Sequence, residues 1–136
     1  MFTATAHAID GGLRNEIDVN GRHTIVTDEP EAVGGTNAGP APHELLPAML
    51  ASCVSTMIVL YARRHDWPTD GVWVEATYDP QVTPRPVELT IHLPEGLDDG
   101  QIERLRRVAD TCPARRALEA GFSFTEEVAV PSASRR

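Results

Sequence analysis

The stretch "HELLPAMLASCVSTMIVLYARRHDW", residues 43–67, is a long and almost unbroken apolar run with a cysteine at its middle. Leu46, Met49, Leu50, Cys53, Met57, Leu60 and Tyr61 recur in steps of three and four, the period of one helical face. The pattern predicts a helix that opens near Pro42, a favoured first helical residue. It should close before Trp67-Pro68, because a residue ahead of proline leaves the α region. Cys53 is then expected on the buried face. Pro47 cannot donate to the His43 carbonyl, so the first turn should bend or loosen. Ser52, Cys53, Ser55 and Thr56 interrupt the apolar segment, and Arg63 and Arg64 close it. That is a core helix rather than a membrane span.

Upstream, "FTATAHAI", "LRNEIDV" and "RHTIVT" suggest short strands. Gly11-Gly12 forms a turn, and Asn20-Gly21 is a strong hairpin signal. "DEPEAVGGTNAGPAP" follows as a Gly- and Pro-rich loop, long enough to be functional. Downstream, "GVWVEATYD" and "VELTIHLPEG" alternate with period two and should pair antiparallel across residues 80–86. "LDDGQIERLRRVADTC" is amphipathic, with Ile102, Leu105, Val108 and Ala109 expected inward. Pro113 restarts a short helix that Gly121 stops, and "FSFTEEVAV" should be a last strand. The order is α+β. We expect a single domain over residues 1–130 and a frayed tail over 131–136.

With 136 residues the chain suits one domain with its own core. Apolar residues make up 41% and charged residues 24%, which excludes a disordered chain. Acids outnumber bases 20 to 12, for a net charge of −8, which argues against a general nucleic-acid binder. Arg104, Arg106, Arg107, Arg115 and Arg116 could form a local basic patch or simply the wet face of amphipathic helices. The opening residues carry no secretory pattern, and two cysteines make no disulfide framework, so the expected location is the cytoplasm.

The two thiols therefore need their own account. Cys53 lies inside an oily helix, where it could be inert filling or a reacting thiol. Cys112 falls at the cap of "PARRALEAG", where free N–H groups, the helix dipole, Arg115 and Arg116 would favour a thiolate. A thiol of ordinary pKa, about 8.5, is only slightly ionised at neutral pH and needs a cation or dipole nearby.

"GPAPHELLPAMLASCVSTM" (39–57) and, later, "CPARRAL" (112–118) resemble the OsmC/Ohr family, the osmotically inducible and organic hydroperoxide resistance proteins. The "HELL" opening is similar to a less studied OsmC-like branch. The resemblance runs from the strand before "TDEPEAVGG" to "FSFTEEVAV". It implies antiparallel sheets wrapped around a long central helix in an intertwined homodimer. It also implies a thiol peroxidase without cofactor or metal, in which Cys53 attacks an organic hydroperoxide and becomes a sulfenic acid. Cys112 would condense with that acid to a disulfide, and a dithiol such as a lipoyl group would reduce it. Leu46, Met49, Leu50 and Met57 could line the substrate cleft.

In the family's peroxidases an arginine holds the thiolate and peroxide, and a glutamate ten residues before the first cysteine orients it. Here that position is His43, and Glu44 comes one residue later, about 100° around a helix. Protonated, His43 could itself stabilise a thiolate; His43 and Glu44 could equally be solvated residues of a first turn. Arg14 is the favoured candidate for the arginine, ahead of Arg22.

Two other functions compete. His7, His23, His43, His65 and His92 with the cysteines could assemble a metal site, but neither C-x-x-C nor H-x-x-x-H occurs. A dimeric module binding a small apolar ligand beside the long helix, with vestigial cysteines, is the stronger alternative. No nucleic acid or membrane partner is expected.

Overall fold

The computed structural model describes residues 1–132. Its N-terminal third is an antiparallel meander of β1 (Ala4–Ala8), β2 (Asn15–Val19) and β3 (His23–Thr27), in the order β1-β2-β3. Ile17 lies opposite Ala6 on one side and Ile25 on the other. The β2–β3 turn is the expected Asn20-Gly21 pair, both at positive φ (54° and 67°), which glycine and asparagine adopt most easily.

Asp28, buried at the end of β3, ties down the loop that follows. Its carboxylate accepts from the Thr36 hydroxyl at 2.6 Å, from the N–H groups of Ala38 and Thr36 at 3.0 and 3.1 Å, and from Glu29 N–H at 2.8 Å. The loop is packed closely enough that a Cβ on Gly35 would overlap the Glu29 carbonyl.

Pro42–Glu44 forms a 3₁₀ turn, and the long helix α1 starts only at Leu45 and runs to Arg64. Pro47 is therefore its third residue. An N–H there has no intrahelical partner in any case, so the proline costs the helix no hydrogen bond. The connection to β4 (Trp73–Tyr78) follows, and β4 pairs antiparallel with β5 (Val87–His92) as expected. The helices α2 (Asp99–Asp110) and α3 (Pro113–Ala120) complete the order. Asp98 caps α2, accepting from Gln101 N–H at 2.8 Å while Gln101 accepts from Asp98 N–H at 2.9 Å.

The core lies where α1 meets β4, β5, α2 and α3. Val54, Ile58 and Ala62 of α1 are fully buried against Leu105 and Ala109 of α2 and against Cys112, with Val74, Leu89 and Ile91 of the sheet behind them. The buried row of α1 is thus Leu50, Val54, Ile58 and Ala62, not the stripe expected through Met49, Cys53 and Leu60. Met49 and Leu60 are exposed, and Leu46, Cys53, Met57 and Tyr61 are half-buried. By length and composition Pro42–Arg64 would suffice to cross a membrane, yet its buried row carries the core of an α+β fold.

Two further expectations are corrected. Ile102 points outward, because the buried face of α2 is the Leu105–Ala109 pair, with Val108 half-buried. "FSFTEEVAV" is not a strand: residues 121–132 have no ladder partner and are exposed throughout, including Phe122, Phe124, Val128 and Val130. Of the tail expected over 131–136, residues 133–136 lie outside the described residues.

The meander stands apart from this core. Both faces of β1 are exposed, and β1–β3 pack chiefly on one another.

Candidate functional site: a thiol pair between α1 and α3

Cys53 sits in the third turn of α1, one residue before buried Val54, at the margin of the core-facing side. Cys112 occupies the N-cap of α3 in extended conformation (ψ 121°), because Pro113 as first helical residue excludes the α region before it. Its N–H donates to the Ala109 carbonyl at 3.2 Å and its carbonyl accepts from Arg116 N–H at 3.0 Å. α2 and α3 together fix its position. Its side chain is fully buried, whereas Cys53 is partly exposed, and both are free thiols.

The two sequence-distant cysteines are brought together. Cys53 packs on the core cluster that contains Cys112, and its sulfur interacts with the Cys112 thiol and with the backbone N–H of Ala114. Burial, the largest influence, pushes the Cys53 thiol above its ordinary value; Ala114 N–H pulls it down, and Cys112 pushes it up again. The Ala114 N–H at the head of α3 thus bears on Cys53. Capping geometry was legible in the sequence, but which sulfur the amide would face was not.

Among the described residues no cation acts on Cys53. Arg14 lies beside Leu13, Asp28 and Gly35 in a hollow of the meander, and Arg22 lies in the β2–β3 turn. The His43 ring meets Tyr78 at the end of β4, with Nε2 at 3.0 Å from the phenol oxygen. Glu44 accepts from Ala41 N–H at 2.9 Å and so closes the 3₁₀ turn. Ten residues of helix span about 15 Å, so neither side chain reaches Cys53 of its own chain. Tyr78 was not anticipated; only its place at a strand end opposite the turn reveals it.

Of the four expected wall residues, Leu50 belongs to the core, while Leu46, Met49 and Met57 form a partly open apolar strip on the Cys53 side of α1. Leu50 also borders a cleft of ≈ 560 Å³ between β5 and α2–α3, which neither cysteine lines. The arginines of α2 and α3 are largely paired: Arg106 and Arg107 with Glu103, and Arg115 with Asp110 and Glu119. They form an ion-pair network on a wet face. The histidines are scattered. His65 stacks on Tyr61 and His92 lies flat on Trp73 at 3.5 Å. Among the described residues no three metal-binding side chains gather.

An α+β chain with one thiol on its long helix and a second at the cap of a later helix is a two-cysteine protein. The family profile for OsmC-like protein matches residues 35–127, and the chain belongs to that family. Solved structures share the fold. A Psychrobacter arcticus protein named for osmotic stress induction and a detoxification response is 29% identical, with a TM-score of 0.71 over 85% of this chain and 87% of its own. An organic hydroperoxide resistance protein of Legionella pneumophila is 24% identical, with a TM-score of 0.64 over 87% and 88%. One from Bacillus subtilis is 20% identical, with a TM-score of 0.54 over 85% and 89%. Comparison with the curated proteins finds no match.

Proposed function

We propose that the protein is a thiol-dependent peroxidase that reduces organic hydroperoxides in the cytoplasm. The observation that carries this reading is the meeting of Cys53 and Cys112 between α1 and α3. The Cys53 thiolate attacks the outer oxygen of the hydroperoxide. The O–O bond breaks, the alcohol leaves and the sulfur becomes a sulfenic acid. Cys112 attacks that sulfur, water leaves and a disulfide closes. An external dithiol such as a lipoyl group restores both thiols by exchange. Leu46, Met49 and Met57 would hold the alkyl tail, with Leu50 beneath.

The reading requires a homodimer. Among the described residues no cation bears on the thiol, and the meander that carries Arg14 lacks a core of its own. A second copy would supply Arg14, with His43 and Glu44, to the thiol of the first. An arginine beside the thiol would reverse the effect of burial and make thiolate available at neutral pH.

One equivalent of an organic hydroperoxide added to the reduced protein should remove both thiols as an internal disulfide. Cys53→Ser should abolish peroxide consumption, and Cys112→Ser should allow one turnover and leave a sulfenic acid that dimedone traps. Arg14→Ala should slow the first step by tenfold or more, on the order of a lost charge-assisted contact. Normal turnover by Cys53→Ser would remove the mechanism. The second reading, a dimeric module for a small apolar ligand, is favoured by the raised Cys53 pKa and by the capping use of Glu44. It predicts two thiols unchanged after peroxide.

A further inference from the structure

We propose that Cys53 and Cys112 form a capture site for trivalent arsenic, bound as an organoarsenical through both sulfurs. Three features of the pair suit this chemistry. Both thiols are free and adjoin across the α1–α3 contact, and the backbone of Cys112 is held on both sides, so the second sulfur is already in position. Among the described residues no third metal-binding side chain joins them, which underserves zinc, an ion that takes four ligands. Arsenic(III) is pyramidal and holds two sulfurs on the same side. Two-coordinate soft ions such as mercury(II) or copper(I) want their sulfurs spread to opposite sides, which thiols packed side by side cannot offer.

The environment points the same way. Cys53 is reached through the partly open strip of Leu46, Met49 and Met57, where a neutral aryl- or alkylarsenic species needs no countercharge. No thiolate has to be present beforehand. In the reaction of phenylarsine oxide, two S–H bonds break, two As–S bonds form, and the arsenic-bound oxygen leaves as water with both protons. Arsenic stays trivalent, so neither oxidant nor reductant takes part. The proposal is therefore independent of the peroxidase reading, which needs an ionised sulfur and a nearby cation.

The test uses the reduced full-length protein under argon with phenylarsine oxide. One phenylarsenic group should add per chain, both thiols should disappear from titration without a disulfide forming, and X-ray absorption at the arsenic edge should show two sulfur neighbours. 2,3-Dimercaptopropanol should strip the arsenic and return both thiols, whereas glutathione should not. Cys53→Ser and Cys112→Ser should each weaken binding at least about 100-fold, the usual gain from a second tethered contact. No uptake at one equivalent, or a single sulfur neighbour in the wild-type protein, overturns the proposal, and neither measurement depends on how the variants fold. A protein inert to hydroperoxide that still takes one arsenic through two sulfurs retains this site and loses the peroxidase.

Discussion

At Cys53 opposing influences act on one sulfur. Burial raises its pKa, the Ala114 amide lowers it, and the neighbouring Cys112 raises it again. The balance is upward, so the folded chain holds the thiol proton more tightly than the unfolded chain does. The resulting contribution to stability is present below the ordinary value of 9.0 and is lost as pH rises beyond it. In dilute protein, iodoacetamide should therefore alkylate Cys53 more slowly than a free cysteine at pH 7, with a midpoint above the ordinary one. Mass spectrometry after timed quenching checks this. Asp28 has the opposite sign. The Thr36 hydroxyl and the Ala38 amide hold its carboxyl at about 2, well below the usual 3.8. Its stabilising effect is complete above 3.8 and fades as pH falls toward 2. Asp28→Asn should remove that acid-limb dependence, measured as thermal midpoint against pH. Neither balance was legible in the sequence, because the burial, the Thr36 hydroxyl and the backbone amides that set them are placed by the fold and not by the residue string. The cysteine motifs themselves were legible, through the proline that fixes the cap at Cys112 and the long apolar helix that carries Cys53.

Among the elements, α1 shows where periodicity informs and where it stops. Its existence followed from length and apolarity, and Pro42 marked the approach to its start. Its buried row could not be phased, because Met49, Met57, Val59 and Leu60 make the other sides nearly as apolar as the Leu50–Ala62 row. What distinguishes that row is its place in one cluster with Leu105, Ala109 and Cys112, a tertiary fact. Ile58→Ala, which empties a fully buried position in the middle of the row, should cost about 2–5 kcal/mol in a denaturant titration. The last strand is the converse case. "FSFTEEVAV" carries apolar residues at alternate positions, yet a strand needs an edge to pair with, and residues 121–132 meet none among the described residues. Alternation specifies a face and is silent on whose edge completes it.

For the whole molecule, one observation recurs: the chain leaves apolar surface and backbone uncovered at both ends. β1 is exposed on both faces, and the C-terminal segment exposes Phe122, Phe124, Val128 and Val130. If a second copy covers them, amide hydrogen exchange over 122–130 should slow as protein concentration rises through the monomer–dimer transition. Rates independent of concentration, with a monomeric mass in light scattering, would remove the dimer and with it the source of the cation.

The uncovered meander also bears on how the protein is made. Synthesis releases β1, β2 and β3 before α1, α2 and α3 leave the ribosome, and nothing in the nascent ribbon can bury its own sides. His7, Glu16, Asp18, Arg22 and Thr24 keep much of that ribbon hydrophilic. The segment made ahead of the core is thus one suited to wait in water.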